Sequence, residues 1–153
     1  MKKSIVFISS FLLFSISVLA QSKIKYDVEL AKRLGADEYG MKQYVMAYLK
    51  SGSVKIKDSL KREELQKAHL KNIMRLADEG KLIVAGPFMD DTNIRGIFIF
   101  NVATVEEAKK LTATDPAIMA GTLEMELHPW YGSAALMETY RIHKTIEKQS
   151  VAE

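Results

Sequence analysis

The chain predicts an α+β fold, a ferredoxin-like sandwich of order β-α-β-β-α-β with an additional helix at each end. Three observations carry this. Short runs rich in Val, Ile, Tyr, Phe and Met alternate with segments of helical spacing, Gly or a capping residue punctuates nearly every junction, and the length of 153 residues suits one domain.

The elements follow in order. Tyr26 to Leu34 places Val28, Ala31 and Leu34 on one helical face and meets Gly35, a natural left-handed cap. Gln43 to Leu49 reads as a strand, followed by the turn Ser51-Gly52-Ser53. Asp58 or Ser59 can cap a long helix through Glu79, which Gly80 stops. Leu82 to Ala85 is a short strand running into Gly86-Pro87, Asp90, Asp91 and Asn93 make a turn, and Ile97 to Val102 is the third strand. Thr104 and Glu107 form a Thr-x-x-Glu capping box for a helix through Ala113. Leu123 to Leu127 is the last strand, and Ala134 to Lys148 a C-terminal helix.

A half-solvated antiparallel sheet alternates apolar with polar residues. Here Tyr44, Met46 and Tyr48 alternate with Val45, Ala47 and Leu49, and Phe98 and Phe100 with Ile97 and Ile99, so both faces are apolar. The helices bury one face. A homodimer packing sheet on sheet is the first expectation for the other, with the terminal helices as the alternative cover.

The first twenty residues stand apart. Lys2 and Lys3 precede an uncharged apolar run from Ile5 to Leu19, and Val18 and Ala20 supply small residues before Gln21. This is the pattern of a secretory signal peptide. Fifteen residues rise about 22 Å, short of the roughly 30 Å hydrocarbon core, so cleavage without a stable membrane anchor is expected. The chain then divides into a signal peptide at 1–20, a helical extension at 21–39, the α+β domain at 40–131 and a second helical extension at 132–153. The destination is exported, periplasmic or secreted. A chain without cysteine suits an oxidising compartment and has no thiolate for zinc, haem or iron–sulfur ligation. The formal charge of +3 loses Lys2 and Lys3 on cleavage, leaving twenty basic residues against nineteen acids, so it gives no sign of a nucleic-acid partner.

Chemistry must come from few residues. The three histidines, at 69, 128 and 143, lack the close helical spacing of a metal pair, and neither a metal nor a cofactor is expected. His69 shares an arc of about 80° with Leu65, Ile73 and Leu76, so it points with the apolar stripe toward the sheet. It reads either as a core histidine with a satisfied hydrogen bond or as an acid–base group. Asp115 precedes Pro116 and reads as the cap of a short helical turn, with a second oxygen free to orient an imidazole. Glu124, Glu126, His128 and Trp130 share one face of the last strand. His128 and Trp130 are the candidate ligand-binding residues, with rim or packing roles as the alternative. His143, among Arg141, Lys144 and Glu147, reads as a surface residue.

Five segments in order carry a resemblance: Ala68-His69-Leu70; Asp78 through Phe88 (DEGKLIVAGPF); Arg95-Gly96-Ile97-Phe98; Asp115-Pro116-Ala117 with Ala120-Gly121; and His128-Pro129-Trp130-Tyr131-Gly132. Together they resemble the YCII-related domain family over roughly Gly40 to Tyr131. The resemblance implies a ferredoxin-like fold dimerised through its sheets and an active site pairing a helix histidine with the aspartate of the Asp-Pro motif, here His69 and Asp115. The best-understood chemistry of that family is elimination of chloride from a chlorinated hydroxyquinol. Gln66 stands where smaller relatives often have an arginine. The expectation is an exported small-molecule enzyme of lyase or isomerase type that uses His69 and Asp115 for proton transfer, the alternative being a dimeric module that binds a small ligand without transforming it.

Overall fold

The computed structural model describes residues 25–152, so the signal peptide expected at 1–20 lies outside the described residues. The elements are α1 (Val28–Leu34), β1 (Met41–Ser51), α2 (Ser59–Asp78), β2 (Leu82–Pro87), β3 (Ile94–Phe100), α3 (Val105–Thr112), α4 (Pro116–Met119), β4 (Leu123–Ser133), a 3-10 turn (Ala134–Glu138) and α5 (Thr139–Ile146). The strands form one antiparallel sheet in the order β2-β3-β1-β4. This α+β arrangement is compatible with a ferredoxin-like fold.

Local chemistry sets most boundaries. Asp27 caps α1 by accepting from the Leu30 amide at 2.9 Å, and Gly35 ends it at φ 68°, where a side chain would be strained. Asp58 caps α2 through the amides of Leu60 and Lys61. The capping box of Thr104 and Glu107 opens α3. Gly52 has a different task. A Cβ there would meet the Gly121 carbonyl oxygen at 2.2 Å, so its absence lets the end of β1 lie against the chain leaving α4. The Gly52 amide donates to Thr122 O at 2.9 Å and the Val54 amide to Gly121 O at 3.0 Å.

The helices cover one face of the sheet. Val45, Ala47 and Leu49 of β1, Leu82 of β2 and Phe98 and Phe100 of β3 pack with Leu76 and Ala108, and with the partly buried Ile73, Leu111, Met125 and Leu127. Apolar burial of this kind contributes roughly 25 cal/mol per Å² removed from water.

The opposite face is also apolar, and its cover comes partly from the same chain. Tyr44, Ile83 and Ile99 form a second buried cluster with Met46, Val84, Trp130, Leu136 and Met137. The last two belong to the 3-10 turn. The expected C-terminal helix is therefore two pieces, because residues 134–138 tighten into a 3-10 turn that lays Leu136 and Met137 on the sheet before α5 begins. The last strand runs six residues past Leu127. Its extension through Ser133 pairs with β1 back to Met41, and the Tyr44 hydroxyl donates to Ser133 O at 3.1 Å. Pro129 did not end it, since β4 is an edge strand and tolerates a missing donor. Two ties dock the N-terminal extension: Arg33 to Glu138 at 2.5 Å, and the Tyr131 hydroxyl to Asp37.

Candidate active site

His69 lies on α2 above the middle of the sheet. Its ring is nearly parallel to Phe98 of β3, at 15° and 6.2 Å between centroids. Phe98 is the floor of the site. Sequence reading placed it in the core but gave it no part here.

Asp115 sits between α3 and α4. Its Oδ1 accepts from the Ala117 amide at 2.9 Å, capping α4, and its Oδ2 lies 2.7 Å from His69 Nδ1. The two roles expected of this carboxylate, cap and imidazole orienter, are thus divided between its two oxygens. His69 is 6% exposed and Asp115 1%. A carboxylate only accepts, so Nδ1 carries the hydrogen and the lone pair of a neutral imidazole resides on Nε2. The pair can accept a proton at Nε2 and stabilise the resulting imidazolium through Asp115.

A second set of contacts joins the same two segments. Asn72, one turn beyond His69, is buried, and its Oδ1 accepts from Arg75 Nη2 at 2.8 Å. Arg75 Nη2 also donates to Thr114 Oγ1 at 3.0 Å. None of these three residues was expected at the site from the sequence. The available signal was Asn72 itself, an amide on an otherwise apolar stripe.

His128 and Trp130 are on the other face of the sheet, away from His69. Trp130 packs against Tyr44 with centroids 5.9 Å apart and also borders an open cavity of about 510 Å³, with Gly35, Asp37, Lys42 and Tyr131 among its walls. Asp37 is fully engaged there, since Oδ1 accepts from the Tyr39 and Met41 amides and Oδ2 from the Tyr131 hydroxyl. His128 lies edge-on to Tyr48, and its Nε2 is 3.0 Å from Glu126. Lys50 Nζ donates to Glu126 at 2.6 Å. Lys50 and then His128 hold the Glu126 carboxyl below its usual range. His143 lies beside Glu147 on the exposed side of α5. Among the described residues, no three His, Asp or Glu side chains gather as a metal site would require, and no helix is long and apolar enough to cross a membrane.

A small α+β domain with a buried His–Asp pair between a long helix and a capped turn is the class that fold and site define. The particular family follows from comparison: a model of the YCII-related domain matches residues 41–131, more than half of the chain, and the protein belongs to that family. Among solved structures, it is similar to 5-chloro-2-hydroxyhydroquinone dehydrochlorinase from Burkholderia phenoliruptrix in complex with 2,5-dihydroxybenzoquinone. The identity is 21%, the match covers 57% of this chain and 92% of that one, and the TM-score is 0.43. No curated protein matches the chain.

Proposed function

We propose that this YCII-domain chain is an exported small-molecule enzyme of the lyase or isomerase type, ferredoxin-like in fold, in which His69 and Asp115 transfer a proton. One observation carries the reading: the 2.7 Å contact between His69 Nδ1 and a carboxylate that also caps α4. The cap anchors the orienting group, so a neutral imidazole carries its lone pair on Nε2.

The substrate class this favours is a small cyclic or aromatic molecule with an acidic hydroxyl conjugated to a leaving group. In a dehydrochlorination of a chlorinated hydroxyquinol, a ring hydroxyl of the keto tautomer gives its proton to Nε2, the electron pair of the broken O–H bond forms a carbonyl, the adjacent ring double bond shifts toward the C–Cl carbon and chloride departs. Asp115 stabilises the imidazolium until Nε2 returns its proton to water.

Assay of chlorinated hydroxyquinols with the native protein and His69→Gln tests this. Turnover should fall by about 10² to 10⁴, the usual contribution of a general base. Undiminished turnover in the variant overturns the reading. Saturable binding of the same compounds without product selects the non-catalytic module.

Export rests on the segment before Gln21. N-terminal sequencing of protein recovered outside the cytosol should begin at Gln21, and a start at Met1 would remove the proposal. A homodimer through the second sheet face completes the assembly. Its support is the partly exposed Tyr48 and Ile97, which lie outside the cluster under the 3-10 turn and beside the Lys50, Glu126 and His128 network.

A further inference from the structure

We propose that Asn72 is a positioning residue for the His69–Asp115 pair, holding Asp115 in register through Thr114; the proposal rests on the proton-transfer reading of that pair.

Asn72 is 8% exposed, and its Nδ2 is the fully buried side-chain polar atom without a hydrogen-bond partner among the described residues. Leaving a buried donor unmet is unfavourable, because its water contacts are lost without replacement. Position 72 borders an apolar stripe where Leu would satisfy the packing, with Ile73 and Leu76 in the core beside it. The amide must therefore be present for its other atom, Oδ1.

Oδ1 sits at the centre of a three-residue junction. It accepts from Arg75 Nη2 at 2.8 Å and lies 3.1 Å from Thr114 Oγ1. Arg75 Nη2 bridges to the same Oγ1 at 3.0 Å, while Thr114 Oγ1 reaches Leu111 O at 2.7 Å, its single hydrogen serving one acceptor at a time. Arg75 is itself held by Glu79 at 2.7 Å. The junction thus ties α2 to the end of α3 through side chains already anchored at both ends.

Its position gives it a function. Thr114 immediately precedes Asp115, and His69 and Asn72 are three residues apart on one helix face. Two parallel links, 69 to 115 and 72 to 114, join the same two elements. Consecutive Cα atoms are about 3.8 Å apart and rigidly coupled, so a shift of Thr114 by roughly 1 Å carries Asp115 with it. That is enough to stretch the 2.7 Å contact past hydrogen-bonding distance. Without the second link, Asp115 keeps its amide bond to Thr112 O at 3.0 Å and its cap to Ala117, both within its own segment, and loses the Thr114 tie to α2.

The test is nitrogen-15 NMR of histidine-labelled protein, with His69 assigned from His69→Gln. In Asn72→Leu, which fills the space and removes Oδ1, the Nδ1 proton should exchange about ten-fold faster. The imidazole nitrogens should shift from a single Nδ1–H tautomer toward a mixture. Ten-fold corresponds to about 1.4 kcal/mol, the net worth of one hydrogen bond. Asn72→Asp keeps the acceptor and should restore the native tautomer. If Asn72→Leu does not fold, Thr114→Val combined with Arg75→Met breaks the junction from its exposed side and should give the same spectral change. An unaltered tautomer and exchange rate, in whichever variant folds, overturns the proposal. A shifted tautomer in Asn72→Leu alongside full turnover in His69→Gln leaves the positioning role standing and removes the catalytic reading.

Discussion

At the scale of single residues, Asp115 shows how one carboxylate can be structural and chemical together. Its oxygens have separate partners, so its two roles can be separated by substitution. Asp115→Ala removes the cap and the imidazole acceptor. Asp115→Asn keeps an oxygen for the Ala117 amide but offers an N–H to Nδ1, which reverses the imidazole tautomer and places the hydrogen on Nε2. Caps of this kind contribute about 0.5–2 kcal/mol. Chemical denaturation should therefore find Asp115→Asn more stable than Asp115→Ala by about 1 kcal/mol, with both slower than the native protein in the proposed proton transfer. Equal stabilities would show that the cap contributes nothing.

At the scale of elements, the attachment of α1 depends on pH. The Tyr131 hydroxyl, and next the Met41 amide, hold the Asp37 carboxyl below its usual value. Arg33 and then Arg141 do the same for Glu138. Groups with depressed folded values stabilise above the unfolded range, near pH 4, and lose that contribution as pH falls through the lowered values. Both ties should weaken below about pH 4, releasing α1 before the sheet melts. Amide hydrogen exchange in 28–34 should then accelerate ahead of exchange in β1; simultaneous acceleration would contradict independent undocking. At the other end, burial and then the Asp78 hydrogen bond raise the Tyr140 hydroxyl to about 12, so the contact of α5 with the end of α2 persists in alkali until pH rises through that value.

At the scale of the whole molecule, the question is how the second sheet face is buried. The chain covers the end near Tyr44, Ile83 and Ile99 with its own 3-10 turn. The remainder, around Tyr48 and Ile97, is where a second copy would dock in the proposed homodimer. A stable interface of this type buries about 1,200–2,000 Å² in total. Ile97→Lys should halve the solution mass measured by light scattering at micromolar concentration while leaving the unfolding transition cooperative. A native protein that is already monomeric would refute the dimer.

The same molecule shows how far its sequence could be read. Caps and glycines act within a few residues, and Gly35, Asp58, Thr104 with Glu107, and Asp115 occupy the roles their local chemistry assigns, whereas Asp27, expected inside a helix from Tyr26, caps it from the outside. The stripe through His69 and the period-two strands likewise marked which side chains face inward, because helix and strand geometry alone sets those directions. Strand ends were less legible: β4 continues to Ser133 because β1 offers it partners, a fact of pairing rather than of propensity. Asn72, Arg75 and Thr114 could not be joined from sequence, since 39 residues separate the last two and only the docking of α2 on the turn before α4 brings them within 3.0 Å. What the sequence by itself determined was the set of elements, their faces and the chemistry of individual groups, all short-range matters of sterics and hydrogen bonding. Only the tertiary structure decided that Asp115 reaches His69, that His128 and Trp130 lie on the opposite side of the sheet, and that the chain's own C-terminal turn covers Tyr44, because each depends on which distant segments pack together to remove apolar surface from water.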